Sequence, residues 1–151
     1  MMSMINKIFI DSSILIEAYK GNKVDFYHSL FSDNSNQLFL NEIVLSEYLY
    51  YILGFNAGVS PRTLQQKSQI INALVSEKEQ VNILEEFHFL TGNQDFIFDV
   101  PRLMSIYNLL PNDAIILATC KLHRIKLASH DSDFIIPCKS ENIELLRSAI
   151  S

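Results

Sequence analysis

An α/β fold with a central, mostly parallel sheet is predicted by three observations. Short β-branched or aromatic runs alternate along the chain with stretches of helical spacing, which requires crossover connections and places helices on both faces of the sheet. Two of those runs, within "KIFID" and "IKLASHD", are followed at once by an acidic segment. The 151 residues, 48% of them apolar, supply one core and no material for another, so residues 1–151 read as a single domain.

The elements follow in order. Residues 7–10 lack helical spacing and suit a buried strand. Ser12 or Ser13 is placed to cap a helix carrying Ile14, Leu15, Ile16, Ala18 and Tyr19, with Gly21 as its stop. Residues 33–36 form a polar turn, residues 37–40 ("QLFL") a second strand, and Asn41 caps the helix "EIVLSEYLYYILG", which ends near Gly54. Pro61 opens a further helix, "RTLQQKSQIINALVSE", with one apolar face. The stretch "VNILEEFHFL" suits either the tail of that helix or a strand, and the strand is favoured near its end. A helix then passes Pro101 in or near its first turn, and "LLPNDAIILATCKLHR" starts another with Asn112 in the cap position. Residues 125–129 form a strand running into "HDSDF", and "NIELL" supplies the last one.

Composition removes several classes of function. The net charge of −5 argues against a protein that holds duplex backbone by bulk positive charge. It is compatible with a nucleic-acid enzyme whose excess acids meet divalent cations. Cys120 and Cys138 show no CxxC spacing, which argues against a disulfide or zinc framework. "MMSMIN" is too short and polar for the apolar core of a leader, and no run reaches the length of a bilayer span. A soluble, cytoplasmic protein without membrane contact is expected.

The acids carry the chemical interest, although each has an ordinary explanation. Asp11 stands where a helix cap belongs, Asp113 where the helix dipole favours a carboxylate, and Asp131 and Asp133 where Asx turns form. Glu42 and Glu47 lie on a helix and either is free to face solvent. In a parallel sheet, however, Asp11 and Asp131 emerge at the same carboxyl edge, where such folds place their sites. Carboxylates gathered there raise one another's pKa unless cations intervene, and hard oxygen donors suit Mg²⁺ or Mn²⁺. Such ions polarise a phosphodiester and activate water, so metal-dependent phosphodiester hydrolysis is the chemistry implied.

Together "IFIDSSILI", "IVLSEYLY" and "NDAIILATCKLHRIKLASHDSDF" resemble the PIN domain, in particular the single-domain ribonuclease toxins of the VapC type. The resemblance covers nearly the whole chain and is strongest over residues 112–134. It implies a three-layer, Rossmann-like α/β/α sandwich, with Asp11, Glu47, Asp113 and Asp131 as catalytic and metal-binding acids. It further implies RNA as substrate, an antitoxin protein as partner, and Ser12, Ser13 and Ser129 supporting the acids by hydrogen bonds, with a minor role for Asp133. Ser129 replaces the usual threonine and keeps the hydroxyl. Glu42 and Glu47 are about 140° apart on a helical wheel, and only the family's register selects Glu47. The long span from Glu47 to Asp113 implies an extended helical hairpin around residues 48–80.

Tyr48, Tyr50 and Tyr51 are read as a surface for a second copy of the chain or an antitoxin. The histidines are assigned to packing or surface and not to metal. Lys20 and Lys23, which follow the helix beginning at Asp11, are the expected RNA phosphate contacts. Two rival readings remain: a noncatalytic PIN-like module that binds RNA or protein, and a phosphotransfer enzyme of haloacid dehalogenase type. The second requires an aspartate two residues after the first, where this chain has Ser13.

Overall fold

The computed structural model describes residues 4–66, 71–72 and 78–148. Five parallel strands form one sheet in the order β3-β2-β1-β4-β5. They are β1 (Asn6–Ile10), β2 (Asn36–Leu40), β3 (His88–Phe89), β4 (Lys126–Ala128) and β5 (Leu145–Leu146). β1 is central, with Phe9 beside Phe39 on one side and Leu127 on the other. Ile8, Phe9 and Ile10 are all buried, the pattern of a strand covered on both faces.

The helices are α1 (Ser12–Tyr19), α2 (Val24–Ser32), α3 (Glu42–Ala57), α4 (Pro61–Leu64), α5 (Lys78–Asn82), α6 (Phe96–Tyr107), α7 (Pro111–His123) and α8 (Ile135–Ser140). α1 packs on α3, α3 touches α7, and α6 lies along α7. The chain moves outward from β1 to β2 and β3, then returns to the other side of β1 for β4 and β5. The topological switch point therefore lies between β1 and β4, whose carboxyl ends lead to Asp11 and Ser129.

Several local expectations are corrected. α1 is preceded by Asp11 at its N-cap, and Ser12 and Ser13 lie inside its first turn, where their hydroxyls serve carboxylates. Asn41 does cap α3, its Oδ1 accepting from Val44 N–H at 3.1 Å, but the helix runs past Gly54 and stops at Gly58, whose φ of 61° favours glycine. α2 has no counterpart among the elements read from the sequence; Lys23 is its N-cap, without a side-chain hydrogen bond.

Pro101 lies inside α6, since an Asn93 turn starts that helix early, with Asn93 Oδ1 accepting from Asp95 N–H at 3.0 Å. Pro111 takes the first position of α7 and Leu110 the cap, so Asn112 is inside the helix. Tyr48 is a core residue, because the helical period sets it with Val44 and Ile52 on the buried face; Tyr50 is exposed. Cys120 and Cys138 are both buried free thiols, Cys138 in α8. The expected hairpin over 48–80 falls partly outside the described residues. Among those described, no single helix is long and apolar enough to cross a membrane.

Candidate active site

Asp11 is the anchor. β1 delivers it to the carboxyl edge, and its N–H donates to the Ala128 carbonyl at 3.0 Å, which ties the ends of β1 and β4 together. The residue is only 5% exposed. Ser13 Oγ and Ser129 Oγ each donate to Asp11 Oδ2 at 2.7 Å, and the two hydroxyl oxygens are 3.3 Å apart. Two donors on one oxygen fix the carboxylate rotamer. Burial pushes the Asp11 pKa up, the two serine bonds draw it down, and the charge of Asp131 adds to the rise.

The other acids arrive from separate elements. Glu47 projects from α3, half-buried, and Ser12 Oγ donates to its Oε1 at 3.4 Å. Its pKa is raised by burial first, then by Asp11 and Asp113, and is lowered by hydrogen bonds from Asn112 and Ser12. Glu42 is exposed at the start of the same helix. Asp113 sits in the first turn of α7, and burial followed by the charges of Asp131, Asp11 and Asp133 pushes its pKa up to about 6. Asp131 follows β4; its N–H donates to Ser129 Oγ at 3.0 Å and its Oδ1 accepts from Asp133 N–H at 2.9 Å. The turn-forming role expected of Asp131 and its place among the acids are thus compatible. Asp133 is exposed; its backbone N–H donates to Asp131, and its carboxylate reaches the group through its charge on Asp113.

Asp11, Glu47, Asp113 and Asp131 are thus linked by repulsion at one sheet edge. Among the described residues no three acidic, histidine or cysteine side chains stand close enough to hold an ion as placed. The donor set itself is all oxygen and anionic, which fits a hard dication and no soft metal.

Beside the acids a cleft of about 390 Å³ is lined by Ser12, Ile16, Ser46, Glu47, Tyr50, Tyr51 and Asn112. Asn112 is a site residue that sequence reasoning placed as a cap. The proline before it, which claims the first helical position, was the signal against that role. Lys20 pairs with Glu17 at 2.8 Å and lies 5.7 Å from the centroid of the Tyr51 ring. Lys23 is exposed at the α1–α2 junction.

Acids collected at the switch point of a parallel sheet define a class of α/β domain in which the strand ends present a carboxylate rim. The PIN domain family model matches residues 8–139, and the chain belongs to that family. It is 31% identical over 141 residues to Ribonuclease VapC6 of Methanocaldococcus jannaschii, spanning 85% of this chain and 91% of that protein. Ribonuclease VapC2 of the same organism is 32% identical over 136 residues, spanning 85% and 87%. A solved toxin-antitoxin complex from Klebsiella pneumoniae contains a chain of the same fold, with TM-score 0.58, 23% identity, and coverage of 85% of this chain and 90% of that one.

Proposed function

We propose that this protein is an Mg²⁺- or Mn²⁺-dependent endoribonuclease, acting in the cytoplasm as the toxin of a toxin-antitoxin pair. The carrying observation is the repulsive coupling of Asp11, Glu47, Asp113 and Asp131 at the sheet's carboxyl edge, with Asp11 buried and held by two serines. The names of the two M. jannaschii relatives support the ribonuclease reading.

The four acids would hold the ion. When bound, it supplies Lewis-acid polarisation of the phosphodiester and a water of lowered pKa. The chain's own residues prepare the place. Ser13 and Ser129 keep Asp11 in one rotamer, Asn112 and Ser12 hold Glu47 beside the cleft, and burial strengthens every charge interaction around Asp11. Tyr50 and Phe55, exposed on α3, present a surface to an antitoxin, and Ile106, Leu110 and Ile136 present one to a second copy of the chain in a homodimer.

Incubation of diverse RNAs with the protein and Mn²⁺ should give internal cleavage that a chelator abolishes; no cleavage of any RNA refutes the proposal. Ser129→Ala should lower Mn²⁺ affinity and cleavage about tenfold, because Asp11 loses a hydrogen bond that stabilises its charged form. Ser129→Thr should retain both, as measured by calorimetric titration and initial rates.

A noncatalytic module is the second reading, favoured by the absence, among the described residues, of three carboxylates in contact distance of one point. Calorimetry decides: no heat of binding at millimolar Mg²⁺ or Mn²⁺ selects the module.

A further inference from the structure

Four basic side chains are neutralised by contact. Lys20 pairs with Glu17 at 2.8 Å, Arg102 and Lys121 with Glu141 at 3.0 and 3.4 Å, and Lys126 with Glu144 at 3.4 Å. Lys23 and Arg147 have no ion-pair partner among the described residues. Arg147 donates to the backbone of His130 and the charge of Lys23 reaches its ring; His130 lies between Ser129 and Asp131 at the rim of the acidic group.

Arg147 follows β5, whose register sets Leu146 beside Ala128, and its Nη2 donates to the His130 carbonyl at 3.3 Å. Lys23 stands at the N-cap of α2. Phe26 of that helix packs its ring against the His130 imidazole with centroids 5.5 Å apart. The charges of Lys23 and Arg147 both act on the His130 ring, as does Glu17. Glu17, however, is already engaged by Lys20 at 2.8 Å and Asn22 at 3.2 Å. His130 in turn is coupled to the buried acid: its N–H donates to Ser13 Oγ at 2.9 Å, and Ser13 donates to Asp11.

We propose that Lys23 and Arg147, flanking His130, form the subsite that holds an RNA backbone phosphate adjacent to the one being cleaved. The proposal rests on the nuclease reading of the acids. A polyanion approaching a carboxylate rim on a chain of net charge −5 is repelled unless fixed cations hold it nearby. Arg147 spends one guanidinium donor on the His130 carbonyl and keeps others for phosphate oxygens. Lys23 supplies an exposed point charge on a flexible stem from the turn before α2, where its φ is 51°. Lys20, the other cation expected to bind RNA, is the weaker candidate because Glu17 already neutralises it.

The test is binding of a fluorescein-labelled, mixed-sequence single-stranded RNA to the full chain carrying Asp11→Asn, followed by anisotropy across a salt series. Added separately, Arg147→Gln and Lys23→Asn should each weaken binding about tenfold. Each should also flatten the slope of log K against log salt by about 0.7, the value for one phosphate contact on a single strand. Asparagine tolerates the left-handed backbone at Lys23, so that variant keeps the fold even if the arginine variant does not. Lys23→Arg should retain binding. Lys121→Gln, at the opposite end of α7 from Asp113, should change neither quantity. In the chain with Asp11 intact, Lys23→Asn should raise KM for RNA cleavage with little change in kcat. Wild-type cleavage with unaltered slope and KM in both variants overturns the subsite and leaves the nuclease standing. A wild-type chain that neither binds nor cleaves RNA overturns both.

Discussion

Asp11→Asn is expected to reduce RNA cleavage by at least about a thousandfold, the rate equivalent of about 4 kcal/mol, while leaving the protein folded. The activity loss follows from charge. Asp11 is the most enclosed of the four acids and the one whose position two hydroxyls fix, so an amide there removes the anionic donor around which the others are arranged. Metal-assisted stabilisation of developing charge is worth several kcal/mol, which sets the scale. The retained fold follows from shape. Asparagine is nearly isosteric, and its carbonyl oxygen accepts the same two bonds from Ser13 and Ser129. Burial already disfavours the ionised aspartate, so the amide relieves that cost. Asp11→Ala is the informative contrast, since it leaves both hydroxyls aimed at an empty space and should lower stability as well. Cleavage gels with Mn²⁺ and thermal melts by circular dichroism check both halves. Metal-dependent cleavage surviving in a folded Asp11→Asn protein would remove Asp11 from the centre of the chemistry.

The strand-end acids were legible because a central parallel strand is apolar on both faces, so its polarity changes abruptly where the sheet ends. "IFID" marks that change within a single residue, and residues 125–131 do so in three. Convergence was less legible. Spacing along the chain does not say that β4 returns to the free side of β1, and only that return brings Ser129 onto Asp11. The choice between Glu42 and Glu47 required the helix to be seated. With Val44 and Tyr48 inward, Glu42 faces solvent and Glu47 the acids.

Other features escaped for physical reasons that differ from place to place. α2 starts at a lysine in the left-handed region and carries Phe26, Tyr27, Leu30 and Phe31 without a polar cap, so no start signal announced it. Asn112 has the chemistry of a cap, but proline's fixed φ took the first helical position one residue earlier, and the freed amide serves Glu47. Arg147 lies in no motif; its nearness to His130 is created wholly by the pairing of β5 with β4. In the sequence Tyr48, Tyr50 and Tyr51 look like one aromatic surface, yet neighbouring helical residues point in different directions, and only Tyr48 falls on the core face.

Asp113→Asn is expected to stabilise the metal-free protein at pH 7 by about 1 kcal/mol and to remove most of the stabilisation that Mn²⁺ confers on the wild type. A carboxyl raised from 3.8 to about 6 by burial and by Asp131, Asp11 and Asp133 is one whose ionisation the fold resists. The full shift corresponds to about 3 kcal/mol, and solvent screening of a partly exposed group reduces this to about 1. Because the folded-state value lies above the unfolded one, the folded chain holds the extra proton. The favourable contribution of neutral Asp113 is complete below the ordinary aspartate range near 3.8 and is lost as pH rises through about 6. The stability gap between variant and wild type should therefore be small near pH 4 and widen toward pH 7, as followed by urea denaturation without metal. Mn²⁺ reverses the balance, since an ion that neutralises the acids turns mutual repulsion into shared attraction. At a hundredfold excess over its Kd it should stabilise the wild type by about 2.7 kcal/mol. That gain should shrink below pH 6, where a proton competes for Asp113 and apparent affinity falls about tenfold per pH unit. A gap between the two proteins that does not change with pH, or equal Mn²⁺ stabilisation of both, would show that Asp113 is not part of one electrostatic unit with the other acids.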